Sequence, residues 1–300
     1  MAQEILDEIT LRAGPLEMSL CPSKGGSISR LRYIFGGTVT PVLRGSDRPP
    51  ENILDAGNFP LVPFVNRISG GTFRFRGRTV TLGPNMAGDP SPLHGQGWLS
   101  GWELISASDT EALIEFHHRA GEWPWEYRAR QQFTLSPEAL EIRLSCVNAS
   151  ADPMPCGLGQ HPYFQCTDRT RLQTHVTHAW TIDEHVLPVE RVAATGRFDL
   201  SDVAVCGLGL DHGFGGWDGR ATMSDPAWPF ELVMSGPDAG FFQLYSPSEG
   251  GLFVAEPVTH ANDALSADEA DWAELGMRIL EPGEEMSLLT RLEVRGRAGD

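Results

Sequence analysis

The chain has 300 residues, 41% of them hydrophobic and 21% charged, with 23 basic and 40 acidic side chains and a net charge of −17. Such a chain can bury a sizeable core and falls outside the disordered class, while its acidity repels phosphate backbones and argues against nucleic acid as a partner. Lys24 is the only lysine and lies in no G-x-x-x-x-G-K-[ST] loop, which argues against Schiff-base, pyridoxal-phosphate and P-loop chemistry alike.

The first ten residues are acidic and carry no long apolar run, unlike a secretory leader. No segment approaches the roughly 18 apolar residues of a spanning helix. The five cysteines (Cys21, Cys146, Cys156, Cys166 and Cys206) are odd in number and form no C-x-x-C pair. The expectation is therefore a cytoplasmic protein without a membrane partner, with free and mostly buried thiols.

In chain order, Arg48-Pro49-Pro50 reads as a surface loop. Residues 73–76 alternate apolar and polar, turn at Gly77 and resume at 79–82, which predicts a hairpin. Further strands are expected at 102–106, 112–117, 127–135, 140–147, 230–234, 241–245, 252–255 and 287–294. One short helix is expected at 267–275, with Ser266 and Glu269 as a capping box. Thirty-three glycines and 22 prolines punctuate the chain into short elements. No repeat or linker divides it, so residues 1–300 read as one all-β domain, an antiparallel sandwich or barrel with few short helices.

Four segments carry residue types that chemistry needs. Asn66-Arg67-Ile68 ends an apolar run stiffened by Pro60 and Pro63; His94-Gly95 sits in a glycine-rich turn; His161-Pro162-Tyr163-Phe164 follows Gln160; and Glu256-Pro257 closes a strand-like run. Each has an ordinary structural reading as well: a core or turn histidine, a surface-paired arginine, a strand glutamate facing solvent, or, for Asp211 after Gly207-Leu208-Gly209-Leu210, a plain loop. Trp98, Trp217 and Phe164 could stack on a ring, but aromatics at such spacing are more often core. His117 and His118 point to opposite faces of one strand and do not form a metal pair.

Taken in order, these segments resemble the aldose 1-epimerase (galactose mutarotase-like) family. The matching landmarks are Asn66-Arg67-Ile68, Gly70-Gly71 with Phe73 and Gly77, His94-Gly95, His161-Pro162-Tyr163-Phe164, Asp211-His212 with Phe214, Glu256, and the turn 280–284. The resemblance implies a large antiparallel β-sandwich, the galactose mutarotase-like supersandwich. It also implies an isomerase that interconverts α and β anomers of a free aldose without metal or organic cofactor. By the same resemblance Glu256 is the base, His161 the acid and His94 a second imidazole that polarises the ring oxygen or holds the sugar. Asn66, Arg67 and Asp211 would bind hydroxyls. Under that assignment His161 must be held charged to somewhat higher pH than usual and would own the alkaline limb of the rate profile. Gln160 and Pro162 around His161, and the run Glu256–His260, depart from other branches of the family and leave the sugar open.

Three alternatives stand beside this reading. A hexose 6-phosphate epimerase would need a cation cluster, of which Arg74, Arg76 and Arg78 form the densest. A non-catalytic carbohydrate-binding or sensor protein of the same fold would need no acid and base. A metal-dependent enzyme would gather His94, His161, His212 and Glu256 at one ion. The expected partner is a small sugar, and the expected assembly a monomer or homodimer.

Overall fold

A computed structural model describes residues 8–46 and 48–297. Among these residues every helical turn is a three-residue 3-10 turn, and the rest of the regular structure is strand. No helix is long and apolar enough to cross a membrane.

Two large antiparallel sheets form the body. The nine-stranded sheet runs Val203–Ala204, Arg171–Thr174, Arg220–Ser224, Phe230–Ser235, Glu285–Gly296, Ala139–Asn148, Tyr127–Leu135, Glu111–His118, Glu103–Ala107. The second sheet runs Pro188–Ala193, His178–Ile182, Leu210–Gly215, Phe241–Ser246, Leu252–Val258, Gly159–Gln160, Pro60–Leu61, with Tyr163–Gln165 also paired to Leu252–Val258. A four-stranded sheet (Ile9–Ala13, Leu16–Cys21, Ser27–Phe35 and Thr38–Leu43) precedes them.

Alternation decides which face each strand buries. In Tyr127–Leu135 every odd residue is buried, while the even positions, such as Arg130 and Gln132, reach the surface. Phe133 and Leu144 from the first sheet join Phe214, Phe242, Leu244, Phe253 and Ala255 from the second in one buried cluster. Each large apolar side chain buried there contributes roughly 1.5–3 kcal/mol. The other face of the second sheet carries a separate apolar cluster, with Phe59, Leu61, Tyr163, Val254 and Val258 among its members. This sheet is thus covered on both sides, and the second cover leaves room for a site.

The hairpin Thr72–Phe75 with Arg78–Thr81 forms as expected, and each of the eight further expected strands is present with ends shifted by a few residues at most. The expected helix at 267–275 does not form. Ala264–Ser266 and Glu269–Asp271 are separate 3-10 turns, and the Ser266 hydroxyl donates to Asp263 instead of capping a helix. The segment is too short to nucleate a helix without a continuous apolar face. The N-terminal strands had no expectation at all. Leu16–Cys21 is buried at five of its six positions, so it shows no alternation to read.

The cysteine expectation holds only in part. Cys21, Cys146 and Cys156 are buried and form no disulfide, but Cys166 and Cys206, 40 residues apart, form one. Pairing at that separation is set by the fold, and spacing does not reveal it.

Candidate active site

A cavity of about 290 Å³ opens on the face of the second sheet that points away from the main core, and Asn66, Arg67, His94, His161, Asp211 and Glu256 all line it. Strand register explains two of the six, Asp211 and Glu256. Asp211 pairs with Tyr245, and Gln243 pairs with Glu256 on the next strand. Period-two alternation therefore puts Asp211, Gln243, Tyr245 and Glu256 on one face, while His212, Leu244 and Ala255 point into the core. Gln243, opposite Glu256 in the ladder, donates its amide N–H to Asp211 Oδ1 at 3.1 Å.

Loops supply three more, Asn66, Arg67 and His94. Asn66 adopts φ 59°, a left-handed conformation that Asn tolerates better than most residues. His94 adopts φ 58° beside Gly95. A Cβ on Gly95 would lie 2.1 Å from the Val62 carbonyl oxygen, so that turn requires glycine. The two loops lock together: the His94 N–H donates to Asn66 O, and the Asn66 N–H donates to His94 Nδ1, both at 3.0 Å. Because Nδ1 is an acceptor, the neutral His94 ring carries its hydrogen on Nε2 and presents a donor. Burial holds His94 well below its usual pKa, helped by His161 and Arg67. Arg67 is fixed by Asp89 Oδ2 at 2.9 Å and by Asn66 Oδ1 at 3.1 Å.

His161 and Glu256 form the floor. His161 Nε2 lies 3.5 Å from Glu256 Oε1, and the ring stacks on Phe59 with centroids 4.4 Å apart. Behind His161 runs a chain of buried amides: Asn58 donates to Gln160, Gln160 to Gln131, and Gln131 to Gly26 O. Glu256 is 2% exposed. His161 Nδ1 and Glu256 Oε2 are buried without a partner in the protein. Buried polar atoms are normally paired, so two orphans at one cavity mark the place where a polar ligand belongs.

Burial pushes the Glu256 carboxyl well above its usual range, and the Asp211 charge adds to this against the opposing pull of Arg67. Burial likewise lowers His161 to about 3, with a smaller push from Arg44. The expectation of an imidazolium held charged is therefore corrected: burial makes both groups favour their neutral forms. Asp211 is also raised by burial, against Arg67 and the Gln243 amide.

The residues that sequence reasoning passed over as site members are Asp89, which anchors Arg67, Gln243, which donates to Asp211, and Phe59 and Tyr163, which line the cavity. Gln243 carried a readable signal: it is the polar residue in an otherwise apolar run 241–245. Asp89, in a plain Gly-Asp-Pro turn, carried none. Of the aromatics considered for stacking, Trp98 lines the cavity, whereas Trp217 and Phe164 are buried in the core. The proposed cation cluster lies elsewhere: Arg76 pairs with Glu281, Arg78 covers Trp125, and neither lines the cavity with Arg67. His212 packs on Phe198 across the sheet from Glu256, which breaks the four-residue metal set.

The family model of aldose 1-epimerase, a family of carbohydrate epimerases, matches residues 7–293 of the chain. The uncharacterized protein YphB of Escherichia coli K12 is 31% identical over 291 residues, covering 90% of this chain and 98% of its own. The crystal structure of a candidate aldose 1-epimerase from the same organism superposes with a TM-score of 0.88 at 31% identity, over 97% of this chain and 99% of that one. A galactose 1-epimerase from Lactobacillus acidophilus shares the fold, with a TM-score of 0.76 at 17% identity over 97% and 95% of the two chains. The chain belongs to the aldose 1-epimerase family.

Proposed function

We propose that this protein is a mutarotase for a neutral aldose, with Glu256 and His161 as its proton-transfer pair. The observation that carries the reading is the buried carboxyl–imidazole pair, 3.5 Å apart, with one orphaned atom on each partner. Together the two neutral groups hold one transferable proton. When the sugar binds, its C1 hydroxyl donates to the carboxylate form of Glu256 and its ring oxygen accepts from the protonated form of His161. These bonds stabilise the ionic arrangement that burial alone disfavours. Glu256 then takes the C1 hydroxyl proton while His161 protonates the ring oxygen, and the C1–O5 bond breaks. The aldehyde turns about C1–C2 and closes on its other face with the roles exchanged, so nothing is consumed. His94, a neutral Nε2–H donor, supports the ring oxygen or a neighbouring hydroxyl. Arg67, Asn66 and Asp211 hold the remaining hydroxyls.

A free sugar fits better than a sugar phosphate. Among the described residues Arg67 is the only cation lining the cavity and is already paired with Asp89, while Asp211 and Glu256 add acidic groups. Polarimetry or NMR on freshly dissolved glucose, galactose, xylose and arabinose tests the activity and ranks substrates. Failure to accelerate any aldose, with binding intact, would favour the carbohydrate-binding alternative.

A further inference from the structure

We propose that the segment following Glu256 is a clamp that positions Arg67, with His260 and Asn262 as its positioning residues. Three side chains in four consecutive positions accept hydrogen bonds from alternate backbone N–H groups nearly 200 residues away. Val65 N donates to His260 Nε2 at 2.9 Å, Arg67 N to Asn262 Oδ1 at 3.1 Å, and Ser69 N to Asp263 Oδ1 at 2.7 Å. The intervening Asn66 N is held by His94. The segment that carries Asn66 and Arg67 thus uses side chains as the neighbouring strand it lacks.

The same stretch is tied to the His161 side of the site. Thr259 bonds Leu158 in both directions, through its N–H to the Leu158 carbonyl and through its hydroxyl from the Leu158 N–H, each at 2.9 Å. His260 Nδ1 faces the Ala261 carbonyl at 2.7 Å, which fixes Nδ1–H as the donor and leaves Nε2 as the acceptor Val65 needs. The ring fills the space over Gly157, where an added Cβ would lie 1.9 Å from it. Asn262 also donates to the Val186 carbonyl at 2.8 Å, which orients its amide with Oδ1 toward Arg67. One run of eight residues therefore carries the proposed base at one end and sets the height of the hydroxyl-binding arginine at the other.

This inference rests on the reading of Arg67 as a sugar-binding group, and the experiment separates the two. Asn262→Ala removes the acceptor for Arg67 N, whereas Asn262→Asp keeps an oxygen there and loses only the bond to Val186. The Ala variant is expected to raise KM for the best aldose by about 5- to 30-fold, as leaving one buried N–H unpaired implies, with kcat within about twofold of wild type. The Asp variant is expected to stay near the wild-type KM. Hydrogen exchange at the Arg67 amide, which needs no substrate, should accelerate in the Ala variant and not in the Asp variant. Equal effects of Ala and Asp, or no change in Arg67 exchange with Ala, would overturn the clamp. If Arg67→Ala itself leaves KM unchanged, the sugar-binding role of Arg67 fails, and the exchange result alone then decides the clamp.

Discussion

Glu256 has a buried orphaned oxygen and His161 a buried orphaned nitrogen, and both groups are pushed toward neutrality. Glu256→Gln keeps the shape and removes the titrating group, so the rate of anomer interconversion should fall by about 10²- to 10⁴-fold in polarimetry while the protein stays folded. A wild-type rate in that variant would remove Glu256 from the chemistry. The pKa directions also reassign the limbs of the pH profile. The active form holds one proton on the pair. Adding a second proton titrates His161, so the acidic limb lies near its pKa of about 3. Losing the only proton titrates Glu256, so the alkaline limb lies above the ordinary carboxylate range. His161→Asn should therefore give a slow enzyme that keeps its alkaline limb in kcat/KM against pH. Loss of that limb would restore His161 as its owner.

At the scale of elements, the pairing of Leu210–Gly215, Phe241–Ser246 and Leu252–Val258 is what assembles the acidic side of the site. Gln243 is the joint: it stands opposite Glu256 and donates to Asp211. Gln243→Ala should leave the strands paired, since their bonds are backbone bonds, but release Asp211 from its donor. The expected result is a rise in KM of about fivefold, the worth of one hydrogen bond of about 1 kcal/mol, with a smaller change in kcat. An unchanged KM would show that Asp211 needs no support to meet the sugar. The facing loops obey a different rule. They have no strand partner beyond isolated bridges such as Val62 with Gly95 and Arg67 with Leu93, so side chains from His94 and from residues 260–263 replace it.

At the scale of the whole molecule, burying so many imidazoles makes the fold sensitive to acid. His94, His161 and His260 are all lowered by burial, the last to about 4. Unfolded histidine titrates near 6.5, so as the pH falls from about 6.5 toward 4.5 the unfolded chain takes up protons at these sites, and at His212, which burial also lowers to about 4, that the folded chain refuses. Glu256, Asp211 and Asp263 act in the opposite sense, because their raised carboxyls hold protons in the folded chain only; these three carboxyls offset part of the four imidazoles. The balance favours unfolding toward the acid end of that window, where the unfolded imidazoles are fully charged. Urea midpoints should fall when the pH is lowered from about 7 to about 5, and replacing His260 by Asn should flatten the dependence. A midpoint that rises on acidification would contradict the burial of neutral histidines.

The polarity pattern along the chain was enough to read an all-β antiparallel architecture, because alternation such as that of 127–135 follows directly from one buried and one open strand face. Naming the six residues that meet in one cavity took more than that pattern: it rested on the resemblance of short motifs to the aldose 1-epimerase family. The clamp at 260–263, the Asp89 anchor, the Cys166–Cys206 bond and the neutral state of His161 became visible only in the folded molecule. Each depends on partners brought together from distant parts of the chain, or on how much water the surroundings exclude. A polar side chain in a loop looks the same in sequence whether it faces solvent or holds a backbone N–H nearly 200 residues away, and an imidazole shows its charge state only once its burial is known.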